Sequence, residues 1–163
     1  MYRSRTALAW CLPIAATIFL VSPLTASGRK VVPLDERIKG SEQVIVARAE
    51  RIDPTWTQNE RGDRLIVSRV LLRVEETLKG TSESATWMEV EGGTLGGLTL
   101  HVSDLDDLEV GDRAVFMLDR PAAGLRKPHL RGQGILKLND NNVVVGSNVR
   151  LDDVRRNAAS GGN

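Results

Sequence analysis

Cysteine, long apolar runs and an excess of either charge are all scarce in this sequence. The one cysteine among its 163 residues is Cys11, inside the N-terminal segment "MYRSRTALAWCLPIAATIFLVSPLTASGRK". That segment opens with Arg3 and Arg5 and no acid, runs apolar from Ala7 to Val21, and ends in Ser22, Pro23 and small residues. This is the layout of a secretory signal peptide, expected over residues 1–28, with cleavage allowed after Ala26 or after Gly28. The apolar run of about 15 residues is short of the roughly 20 that a helix needs to cross a bilayer. No later run is long enough, so no membrane span is expected after cleavage. Cys11 has no small-residue pair before it, which argues against a lipid anchor. Losing it leaves an exported chain without disulfides or thiol chemistry, whose stability must come from packing. The expected location is the bacterial periplasm or the exterior.

Charge of one sign is equally lacking. Removing Arg3 and Arg5 takes the 22 basic residues to 20 against 21 acidic ones. That balance gives no electrostatic reason to expect nucleic acid as a partner. Catalytic signatures are absent too: there is no HExxH, no GxSxG, and the two histidines, His101 and His129, have no His or Cys at metal-ligand spacing. No motif calls for a cofactor or a metal. The acidic run Asp104, Asp106, Asp107, Glu109 and Asp112 lacks the alternate-ligand spacing of a calcium loop and reads as a solvated turn.

What is there is strand pattern. "PLDERIKG" predicts a short helix, with Pro33 at its start, acids in the first turn and Leu34 and Ile38 on one face. "QVIVARAERI" (43–52) reads as a strand leaving a core for a rim, followed by a polar break, "DPTWTQNERGD". In "RLIVSRVLLRVEETLKG" period two places Ile66, Val70, Leu72 and Val74 on one face, broken by Ser68, and Arg69, Arg73 and Glu75 on the other. "ATWMEVE" turns Met88 and Val90 inward, "LTLHV" turns Leu98, Leu100 and Val102 inward, and "RAVFML" (113–118) is a candidate central strand. "GILKL" and "VVV" around "NDNN" predict a hairpin, and "LDDVRRNAA" a short C-terminal helix before a frayed tail. The expected fold is all-β: a small OB-like β-barrel of five to seven strands over residues 29–150, with a short N-terminal helix and a C-terminal helix and tail at 151–163.

"EGGTLGGL" (91–98) is the stretch that looks most like a site. A phosphate cradle needs glycines that open a helix, and a P-loop needs a following lysine; here strands flank both pairs. Gly92, Gly93, Gly96 and Gly97 therefore predict a bend between strands, where a partner's backbone could approach closely. "RGD" at Arg61–Asp63 reads as a hairpin turn. The loop carrying Arg120, Arg126, Lys127 and Arg131, stiffened by Pro121 and Pro128, is a candidate surface for an acidic protein or an anionic glycan.

Taken in order, "LDERIKGSEQVIVARAERI", "SRVLLRVEETLKG", "EVEGGTLGG" and "LEVGDRAVFML" resemble a group of exported bacterial domains of unassigned activity. The resemblance covers about 90 residues, 34–118. It implies an OB-like barrel similar in outline to the inhibitory domain of tissue inhibitors of metalloproteinases. That inhibitor works through an N-terminal cysteine and disulfides, both missing here, so its activity transfers to no residue of this chain. The functional expectation is a non-catalytic, exported binding module holding a protein or glycan by its loops. The alternatives are a small hydrolase or lyase using converging carboxylates, Asp104 or Asp107 with His101, or a protease inhibitor by fold analogy. The oligomeric state is left open.

Overall fold

Two apolar stretches, "VIVA" and "AVFML", lie side by side at the centre of the structure, a computed structural model that describes residues 30–59 and 61–161. The signal-peptide reading of residues 1–28 and the end of the tail fall outside the described residues. After helix α1 (Leu34–Gly40), strand β1 (Gln43–Gln58) forms an antiparallel ribbon with β2 (Arg64–Lys79), and β3 (Ala85–Glu91) adds to β2. On its other side β1 pairs, over Gln43–Arg48, with β6 (Arg113–Asp119). Beyond β6 lie the short strands β7 (Lys127–Pro128) and β8 (Ile135–Lys137). The order is β3-β2-β1-β6-β7 in one antiparallel sheet, and a separate hairpin joins β4 (Gly93–Leu95) to β5 (Leu98–Leu100). Among the described residues the chain is thus β-rich with two α-helices, the second being α2 (Leu151–Ser160).

A run apolar on both phases, "VIVA", requires cover on both faces of its strand. One face of β1 and β6 buries Ile45, Ala47, Phe116 and Leu118 against Val70, Leu72 and Met88. The opposite face buries Val44, Val46, Val115 and Met117 under Ile38 of α1 and Leu151, Val154 and Ala158 of α2. The C-terminal helix therefore contributes to the core of the domain. Its start is held by Asp153, whose carboxylate accepts the Arg150 N–H at 2.8 Å while its own N–H donates to the Arg150 carbonyl at 2.9 Å. The end of α1 is held by Lys79, whose Nζ donates to the carbonyls of Ile38, Lys39 and Ser41 at 2.8, 2.9 and 2.6 Å, a cation on the negative end of the helix.

The period-two reading of β2 holds: Ile66, Ser68, Val70 and Leu72 are all buried. Two other expectations do not hold. The polar stretch 53–58 is strand, not a break, because β1 continues in register with β2 as far as Gln58 opposite Arg64. A two-stranded ribbon with solvent on its outer face tolerates polar residues on that face, and the turn shrinks to 59–63, where the Asn59 Oδ1 accepts the N–H groups of Arg61 and Asp63 at 2.9 Å each. Leu98 does not point inward; it is 60% exposed at the tip of the separate hairpin, where no second layer covers it. The sheet's outer edges meet at one point, a parallel bridge between Met88 and Arg126 in which the Glu89 N–H donates to the Arg126 carbonyl at 2.8 Å. No helix among the described residues is long and apolar enough to cross a membrane.

Candidate functional site

β1 is 16 residues long, but β6 accompanies it for only six of them. Past Ala49 the sheet loses a wall, and a cleft of about 410 Å³ opens in the gap. Its floor continues the inner core: Ile52 from β1, Val70 from β2 and Val90 from β3, with Val102, Leu105 and Leu108 of the following loop as its far side. Its rim is polar, with Thr94 and Thr99 from the hairpin and Asp106 and Asp107 from the loop. Apolar floor and sparse polar rim at the mouth of a β-structure is the usual build of a binding cleft.

The glycine pairs build the cleft in two different ways. Gly96 and Gly97, at φ 62° and 80°, are the two central residues of a hairpin turn that pairs Leu95 with Leu98. Positive φ at both positions matches the right-handed twist of the strands, and the space around both glycines is open. Gly93 is a close approach: at φ 128°, a Cβ there would lie 2.4 Å from the Ser68 hydroxyl. That hydroxyl is buried and donates to the Gly92 carbonyl at 2.8 Å, while the Gly92 N–H donates to Ile66 at 2.8 Å. Ser68, the one polar residue on the apolar phase of β2 between Ile66 and Val74, thus seats the hairpin over the ribbon. The bend expected at Gly92–Gly97 is present, and no helix starts there.

The basic residues do not form one patch. Arg126 is 8% exposed; its Nη2 donates to Glu83 at 2.9 Å and its Nε to the Thr86 hydroxyl at 3.1 Å, so it joins the loop to β3 rather than facing a partner. Arg131 is tied to Glu91 at 2.6 Å and Asp104 at 3.0 Å, and Lys127 lies 4.0 Å from Glu89. Arg120 is exposed and lines none of the cleft. The cause is topological: the loop leaving β6 crosses back over β3, whose acids neutralise it. Arg131 and Gly92–Gly93 line two adjoining hollows that share Val90, Glu91 and Leu105.

The acidic run is dispersed in a similar way. Asp104 pairs with Arg131, while Asp112 pairs with Lys137 at 2.8 Å and accepts the Glu109 N–H at 2.8 Å. Burial alone would raise the Asp112 pKa, but the hydrogen bonds from Lys137 and Glu109 and the lysine's charge outweigh it, so the carboxyl is held below its ordinary value. Asp107 lies 3.4 Å from His101, both side chains well exposed. No group of three or more His, Cys, Asp or Glu is placed to hold a metal ion among the described residues.

No protein-family model and no curated protein matches the chain. The site is therefore read from its own geometry. The residues that the sequence did not point to are those of the floor, Ile52, Val90, Leu105 and Leu108, since in one dimension they are indistinguishable from core. Two local signals were available: the buried-phase Ser68, and Pro54, a proline inside a strand, which is tolerated only where one edge is unpaired.

Proposed function

We propose that the protein is a non-catalytic binding module that takes its ligand in the cleft between the β1–β2 ribbon, the β4–β5 hairpin and the loop 102–108. The observation that carries this reading is the make-up of that cleft: an apolar floor continuous with the core, under a polar rim that includes two threonines, two aspartates and Glu91. A cavity of this size can bury a small ligand or a short segment of a partner. The strand order and the single Met88–Arg126 bridge support an OB-like barrel, open at the cleft. The N-terminal pattern of basic residues, apolar run and small residues supports export to the periplasm or beyond.

The test is a titration of the purified protein with a panel of small apolar amines, peptides and oligosaccharides, followed by amide NMR. Ligands of this site move the signals of Ser68, Gly92, Gly93 and Thr94, and Thr99→Trp, a change at an exposed rim position, blocks them. A panel that leaves those four signals still, or binds Thr99→Trp equally well, overturns the reading. A second reading, a hydrolase or lyase, is favoured by the approach of His101 to Asp107. It requires turnover in an activity screen that His101→Ala abolishes.

A further inference from the structure

The gap that makes the cleft also leaves backbone groups unpaired, and their direction can be worked out. In a β-strand, residues whose side chains share a face also send their N–H and C=O groups to the same lateral side. Ala49 faces the inner core, and its backbone bonds sideways toward β6: its N–H donates to Asp112 at 2.9 Å and its carbonyl accepts the Gly111 N–H at 2.8 Å. A one-residue bulge between Ala49 and Arg51 then shifts the phase, so that Ile52 and Pro54 become the inward residues. Ile52, Pro54 and Trp56 therefore direct their backbone groups to the side that β6 occupies earlier, where no strand stands among the described residues. Their register partners on β2 lie on the other side, and Pro54, which has no N–H, is permitted at this edge for that reason.

An open strand edge beside an apolar floor is a template for one more strand. Such a strand would run through the cleft, place alternate side chains onto the floor at Ile52 and Val90, and pass the rim carboxylates Asp106 and Asp107. Both are exposed; among the described residues neither carboxylate has a Lys or Arg side chain within salt-bridge distance, Asp107 facing His101 at 3.4 Å and accepting from Lys137 through its backbone carbonyl only. We propose that the cleft binds an extended peptide segment by β-strand addition to the Ile52–Trp56 edge, with a lysine or arginine of the peptide against Asp106 and Asp107. The inference rests on the cleft being the binding site and specifies what occupies it. The charge preference follows from the two acids. The extended form follows from the unpaired edge, whose N–H and C=O groups an extended backbone matches in register.

The experiment selects from a pool of seven-residue peptides, acetylated and amidated, that alternate valine, leucine and threonine with lysine, glutamate or glutamine at the centre. Lysine peptides are expected to dominate the retained fraction, with an advantage of about fivefold over glutamate, the scale of an exposed ion pair. The double variant Asp106→Asn, Asp107→Asn removes that advantage and retains binding. A retained peptide slows exchange of the Ile52 and Trp56 amides. Methylating its backbone nitrogens on one alternate phase costs about tenfold or more, while methylation on the other phase is tolerated. Retention of no peptide, indifference to the central charge, or binding that leaves both amides unprotected each overturns strand addition. The cleft reading survives those results as long as other ligands still move Ser68 and Gly93. Protection of the same amides that rises with protein concentration alone, without peptide, assigns the edge to a second copy and overturns the peptide.

Discussion

The two halves of β1 have opposite surroundings although they belong to one strand. Over Gln43–Arg48 it is flanked by β2 and β6 and buried on both faces, with Val44, Ile45, Val46 and Ala47 at 0% exposure. Over Arg51–Gln58 it has β2 alone, most residues are half-buried or exposed, and its free side borders the cleft. Hydrophobic burial supplies most of a domain's stability, whereas unpaired edges and open clefts are where ligands are met. The first half therefore secures the fold and the second presents the site, with the bulge after Ala49 as the joint.

Substitutions can test that division, and the sealed half should respond most. Phe116 lies opposite Ile45 and is fully buried. Phe116→Ala is expected to cost about 3–5 kcal/mol, read as a shift of the denaturant midpoint. By contrast Thr57→Ala, in the open half, should stay within about 0.5 kcal/mol; comparable losses would erase the distinction. Next comes the hairpin that roofs the cleft. Gly93→Ala combines an unfavourable φ with a Cβ driven against the Ser68 hydroxyl, and should cost about 1–3 kcal/mol. Its amide NMR changes should gather at residues 66–68 and 92–100, leaving 43–48 unchanged.

A smaller effect separates two adjacent cations. Arg126→Ala breaks a buried contact with Glu83 and Thr86 and should lower stability by about 1–2 kcal/mol. Lys127→Ala, exposed and 4.0 Å from its acid, should be nearly silent. Equal effects would restore a common role for the basic loop. The smallest response concerns the joint itself, where Asp112 accepts the Ala49 N–H through its carbonyl. The pKa of its side chain is lowered on folding from 3.8. Its contribution is therefore complete above that value and lost as pH falls through the lower folded value. Acid unfolding curves should be shallower below about pH 4 in Asp112→Asn; an unchanged slope would mean that the pairing with Lys137 adds nothing.

Much of the local structure was legible because it obeys short periods. The alternation of Ile66, Ser68, Val70 and Leu72 marked a strand, Pro33 and the acids after it marked a helix start, and Gly96–Gly97 marked a turn. The polar run from Asp53 to Gln58 misled because composition reports solvent exposure, and a ribbon edge is exposed while remaining strand. Leu98 misled because alternation identifies a face without identifying what covers it. Arg120, Arg126, Lys127 and Arg131 looked like a single cationic loop since the acids that pair with Arg126 and Arg131, namely Glu83, Glu91 and Asp104, lie 27 or more residues from them along the chain.

The alternating core of β2, the Gly96–Gly97 turn and the two-sided burial of "VIVA" and "AVFML" were determined by the sequence alone, since each depends on neighbours within a few residues. The cleft was decided only in three dimensions. It exists because β1 outruns β6 and a hairpin folds back over the ribbon, and those lengths are compared only when strands distant in sequence are laid side by side.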